Sequence, residues 1–211
     1  MLLMNLLTKK PPHKLEIGDY YVGINTDFRL MIEFELLLTE ETESENFEYK
    51  FINLLDRFMP NLGYCDAANQ DEIVAAITRY YSCGKDYSLD MDLADDEADD
   101  KPLAQRIYSF NFDDEYIYAA FMEAYGIDLT EADMHWWKFR ALFNALPQSC
   151  MFSRILSYRG MEITSDMSSS QKDFYRKMQR KFALPLPKSE QAKMDAITAA
   201  LMGSGDLSGV L

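Results

Sequence analysis

Two histidines, His13 and His135, and three cysteines, Cys65, Cys83 and Cys150, are the only side chains here that offer an imidazole or a thiolate near neutral pH. A nucleophilic Cys/His pair would have to be His135 with Cys150. His135, however, stands beside Trp136 and Trp137 in a core-like apolar pattern, where a hydrogen-bonded packing histidine is the simpler reading. The cysteines are odd in number and lack CxxC spacing, which argues against a disulfide framework or a zinc knuckle and for small buried hydrophobes in a reducing compartment. Gly84-Lys85 has no upstream glycine and is followed by Asp86 where a phosphate loop needs Ser or Thr. Asp90-x-Asp92 fails as a calcium loop because Ala94 and Asp95 stand where Asp or Asn and then Gly are required. The expectation is a protein with no catalytic residues, no metal and no cofactor.

Charge and aromatic clustering point instead to binding. The chain has 211 residues and a formal charge of −14, which repels phosphate backbones and anionic lipid and makes nucleic acid and membrane poor partners. That charge is unevenly placed. Residues 1–130 carry 10 basic and 27 acidic side chains, a balance of −17, whereas residues 131–211 carry 11 and 8, a balance of +3. Lys172, Arg176 and Arg180 recur every four residues, with Lys177 and Lys181 adjacent, as a basic stripe opposite Phe174, Tyr175 and Met178. Such a stripe can serve the protein's own acidic half or an acidic partner helix. The other candidate contact residues are Trp136, Trp137 and Phe143, for which simple core packing is the competing account.

The elements that must position these residues are mostly helical. Leu15–Ile17 and Tyr20–Ile24 flank Gly18-Asp19 and predict a small N-terminal β-hairpin. Asn25, Thr26 and Asp27 supply capping oxygens for a helix over about Phe28–Leu38, on which Arg29 and Glu33 are spaced as an i,i+4 pair. Thr42 with Glu45 has capping-box spacing before an amphipathic helix that Pro60 stops, and a third helix runs to Cys83 with Gly84 as its left-handed end. Beyond residue 102, helices are predicted from Asp113 to Gly126, over Glu131–Leu146 behind a Thr130/Asp133 cap, around Phe152–Leu156, over Gln171–Ala183 behind Ser168-Ser169-Ser170, and from Ser189 to Met202. The fold class is therefore mainly α, a bundle of about eight helices with a small hairpin.

Seven of the eleven residues in Asp90–Asp100 are acidic, a run that repels itself and buries nothing. This divides the chain into a hairpin-plus-helix region at 1–85, an acidic linker at 86–102, a helical region at 103–202 and a glycine-rich tail at 203–211; one domain with an insertion fits the pattern equally. The apolar opening Met1–Leu7 has its lysines behind it and no small-residue cleavage site, so it does not read as a signal peptide, and no stretch has the roughly 18 uncharged residues of a membrane span.

Several blocks occur in an order that is similar to a known family. Ile24-Asn25-Thr26-Asp27-Phe28-Arg29, Tyr80-Tyr81-Ser82-Cys83-Gly84-Lys85, Asp113–Phe121, Tyr125–Leu129, His135-Trp136-Trp137-Lys138-Phe139-Arg140, Tyr158-Arg159-Gly160 and Ala183-Leu184-Pro185-Leu186-Pro187 resemble the bacteriophage gene product fifteen family of Gram-positive siphophages and prophages. The likeness covers roughly residues 15–195, with the tryptophan block its most specific part. The resemblance implies a gene between those of the major tail protein and the tape measure, the position of tail assembly chaperones. It further implies a non-enzymatic protein of the host cytoplasm whose partner is the tape measure protein, with other tail assembly proteins and a multimer along the tape measure as further expectations. Thirteen methionines and 13% aromatic residues would supply adaptable contact surface for that role. The alternative is a structural minor tail or connector protein retained in the virion.

Overall fold

A computed structural model describes residues 5–40, 46–64, 70–85 and 107–185. The hairpin forms as its alternation requires. β1 (Lys14–Ile17) pairs antiparallel with β2 (Tyr20–Gly23), Leu15 opposite Val22 and Ile17 opposite Tyr20, and Leu15, Ile17 and Val22 turn inward. The turn needs Gly18, whose φ is +55° and where an added Cβ would stand 3.0 Å from Glu72 Oε2.

α1 (Phe28–Glu40) begins where Asp27 Oδ1 accepts the Arg29 amide at 3.0 Å. α2 (Phe47–Phe58) ends before Pro60, and its last carbonyl accepts the Asn25 amide at 2.8 Å. A short 3₁₀ turn, Leu62–Tyr64, follows. α3 (Gln70–Tyr81) closes through Cys83 and Gly84, with φ of +58° and +69°; the Gly84 amide returns to the Arg79 carbonyl. α4 (Asp114–Tyr125) stops at Gly126 in the left-handed conformation, as its sequence predicts. α5 (Trp136–Asn144) and α6 (Met151–Arg159) follow, and α7 (Ser169–Lys181) starts with a complete capping box between Ser168 and Gln171. The protein is mainly α, with seven α-helices and one two-stranded hairpin among the described residues. The Thr42/Glu45 cap, the acidic run and the helix expected at 189–202 lie outside those residues.

Two local expectations are corrected. The tryptophan helix starts at Trp136, five residues later than Glu131, because Thr130 is held in a turn by Asp128, whose Oδ1 accepts both the Thr130 amide and hydroxyl, while His135 supplies the helix cap. Arg29 and Glu33 do not pair along α1. Arg29 turns to Asp27 and to the chain before α5, and Glu33 takes Arg57 of α2 in a two-point pair.

The residues divide into two compact units, Met1–Ile155 and Leu156–Leu211. In the first, helices from before and after the acidic run share one core. Phe139 of α5, fully buried, stacks on Phe28 of α1 at 4.7 Å, on Phe121 of α4 at 5.2 Å and on Trp136 at 5.7 Å. Each such buried aromatic contributes roughly 1.5–3 kcal/mol from desolvation alone. In the second unit, Tyr158 stacks on Phe182 and meets Phe174 edge-on, and Gln179 Nε2 donates to the Met161 carbonyl at 2.7 Å.

Candidate functional site

The three N-terminal helices leave a groove between them. Met31, Phe34 and Leu38 lie one turn apart on α1, and Phe51 of α2 with Val74 and Ile77 of α3 form the facing walls of a space of about 400 Å³. Leu38 is 53% exposed and Val74 57% exposed, so the walls reach solvent and the floor does not. Glu35, Thr39, Thr78 and Tyr81 supply a polar edge along an otherwise apolar channel.

That edge is anchored to the core. The Tyr81 hydroxyl donates to Glu35 Oε2, Tyr108 hydrogen-bonds Glu35 and Arg140, and the Arg140 guanidinium lies 5.7 Å from the Tyr81 ring centre and 5.4 Å from that of Trp136. Burial first, and then the Glu35 carboxylate, push the Tyr108 hydroxyl up to about 12, so it remains a donor at any physiological pH. Burial likewise pushes the Cys83 thiol up to about 11, against the pull of Arg140 and Lys85, which leaves it un-ionised and a poor nucleophile. The arrangement can bind an apolar surface and orient it by one carboxylate edge. It has no activated nucleophile.

The tryptophans selected from sequence serve the core. Trp136 is fully buried, Trp137 is 3% exposed and Phe143 is 8% exposed. Their indole N–H groups donate to the Tyr81 carbonyl at 3.0 Å and the Tyr80 carbonyl at 2.8 Å, satisfying two carbonyls at the end of α3. The pair therefore clamps α3 to α5 and presents no free face to a partner. Phe143 packs among Tyr108, Phe110, Phe139 and Phe152.

Lys172, Arg176 and Arg180 lie together on α7, a helix without a buried residue. Lys172 Nζ donates to the Ser165 carbonyl, Arg176 is 3.8 Å from Asp173 with both side chains exposed, and Arg180 Nε donates to the Arg176 carbonyl. Exposed pairs of this kind contribute little to stability, and the stripe keeps its charge for other uses.

His135 and Cys150 are not assembled for catalysis. His135 Nδ1 accepts the Trp137 amide at 3.0 Å, so its proton sits on Nε2, 3.1 Å from the Pro12 carbonyl, and neither nitrogen is left for a thiol. Cys150 is buried and donates to Ser153 Oγ. Among the described residues no three His, Cys, Asp or Glu are grouped to hold a metal ion, and no helix is long and apolar enough to cross a membrane.

Sequence reasoning did not single out Glu35, Tyr81 or Arg140. Glu35, like Glu33, interrupts an apolar helical run, where a carboxylate is a signal that a partner must come from elsewhere. The family model described as Bacteriophage Gp15 protein matches residues 7–184. No curated protein and no solved structure matches this chain.

Proposed function

The chain belongs to the bacteriophage Gp15 protein family, and from that premise we propose that it is a tail assembly chaperone that binds and solubilises the tape measure protein in the host cytoplasm. The observation that carries this reading is the α1–α3 groove: an open apolar channel formed by three helices, with Leu38 and Val74 exposed at its lip. An amphipathic helix lays its apolar face into such a channel through residues spaced three and four apart. A tape measure protein is a very long, partly apolar helix and offers that pattern many times over. Weak contacts repeated along it hold the coat in place and still allow its displacement when the tail tube grows. The chain's charge of −14 then keeps the loaded complex in solution, and the work is binding, without catalysis.

The test is co-expression with the long coiled-coil-like protein encoded immediately downstream, read by size-exclusion chromatography with light scattering. A soluble complex with several copies of this chain per tape measure is the expected result. Leu38→Asp with Val74→Asp, both at exposed positions, should abolish that complex and leave the melting temperature of this chain nearly unchanged. If the tape measure precipitates while the unaltered chain elutes alone, the chaperone reading is wrong. Stoichiometric recovery of the chain from purified particles would favour the minor tail or connector role instead.

A further inference from the structure

A second apolar depression, away from the α1–α3 groove, lies between α1, α4 and α5. It encloses about 520 Å³ over a floor of Ile32, Phe110, Ile117, Leu129 and Phe139, and Asp114 and Glu115 stand at its rim on the first turn of α4. The surrounding sequence has one sign. Residues 107–135 contain seven Asp or Glu and no Lys or Arg. Among the described residues the one cation lining the depression, Arg29, is spent inward on Asp27 and on the carbonyls of Leu129, Thr130 and Ala132. An occupant must therefore bring an apolar side chain flanked by positive charge.

The chain itself carries one such element. α7 has five Lys or Arg against a single Asp, and Phe174 is 47% exposed on it. Lys177 and Lys181 follow Phe174 by three and seven residues and so share its face of the helix. We propose that the α1/α4/α5 depression of one copy receives α7 of a second copy, Phe174 entering the apolar floor and Lys177 and Lys181 facing Asp114 and Glu115. The two surfaces are different patches of the same chain, so the contact is heterologous and a pair keeps one free surface of each kind. Repetition extends an array or closes a ring; it does not stop at a symmetric dimer. One helix against one depression buries less than the roughly 800 Å² per partner of a stable complex, so the contact is weak in free solution and gains strength where copies are held close together. It makes no use of the α1–α3 groove and does not depend on the tape-measure reading.

Sedimentation velocity of the full chain over a concentration series tests this directly. Self-association is expected at about 50 mM salt and should weaken about tenfold or more at about 500 mM, where the screening length falls to a few ångströms. Asp114→Lys with Glu115→Lys should abolish association, as should Lys177→Glu with Lys181→Glu, each variant retaining the circular dichroism spectrum of the parent. An equimolar mixture of the two variants should restore association, since the acidic rim of the α7 variant meets the intact basic helix of the rim variant and the reversed rim of the latter meets the reversed helix of the former. Association restored in the mixture, with monomers in each variant alone, is the specific signature. Monomers at every concentration in low salt, or association that survives both reversals, would overturn the proposal. So would association lost in one variant only, which would place some other surface against the depression or against α7.

Discussion

His135 does three jobs with one ring. It caps α5 through Nδ1, ties the N-terminal segment through the Pro12 carbonyl, and packs edge-on against His13 at 5.6 Å and Trp137 at 6.1 Å. The cap requires the neutral ring, since a protonated Nδ1 cannot accept; the Pro12 carbonyl favours the charged form, but burial first, with His13 nearby, lowers the ring's affinity for a proton below the ordinary value of 6.5. The unfolded chain thus binds more protons than the folded one below about pH 6.5, so the contribution of this group to stability is complete above that pH and is lost as pH falls toward the lowered folded-state value. Urea midpoints measured from pH 8 to pH 5 should decline through that window. His135→Asn keeps a capping acceptor and should flatten the decline; an unchanged slope would assign it to other groups.

Between elements, the most consequential side chain is Arg29. Backbone pairing already ties the starts of two helices together, since the Phe28 amide donates to the Met134 carbonyl at 3.1 Å and the Trp136 amide to the Thr26 carbonyl at 2.9 Å. Arg29 completes the joint with Nη2 on the Leu129 and Thr130 carbonyls at 2.6 and 3.0 Å and Nη1 on the Ala132 carbonyl at 3.1 Å. Charge-assisted bonds in a fixed fork are worth more than neutral ones, and removing the fork leaves three carbonyls short of donors. Arg29→Ala should cost about 2 kcal/mol in denaturant unfolding, and Arg29→Lys should recover little of it, because an ammonium cannot span the carbonyls as the planar guanidinium does. Equal stability of the Lys variant would mean that charge alone matters there.

For the molecule as a whole, the segment rich in aspartate separates sequence regions that the core reunites. Phe28 lies against Phe139, and Tyr80 and Tyr81 accept from the two indoles, so neither 1–85 nor 103–211 can complete that core alone. Residues 1–85 expressed by themselves should lack the cooperative melting of the full chain. Co-expression with 103–211 should restore a soluble complex that melts cooperatively, since the contacts made across the break are side-chain packing and hydrogen bonds that need no covalent link. Cooperative unfolding of 1–85 alone would show that the hairpin and first three helices are sufficient.

Periodicity, caps and stops are local signals, and so the hairpin, a serine cap within Ser168–Ser170, the left-handed ends at Gly84 and Gly126 and the mainly helical class could all be read from the sequence alone. The ordered blocks around Asn25, Tyr80, Asp113 and His135 were enough to place the chain in its family. Spacing along one helix could not tell that Arg29 and Glu33 would prefer partners on other segments, nor that Thr130 would be held in a turn and leave the cap to His135. A long-range acceptor offers a fixed, partly desolvated oxygen that an exposed i,i+4 neighbour does not. The two candidate surfaces, the α1–α3 groove and the α1/α4/α5 depression, were likewise invisible, because each is the gap left between elements whose mutual placement is decided only when Phe28, Phe121, Trp136 and Phe139 close around one another.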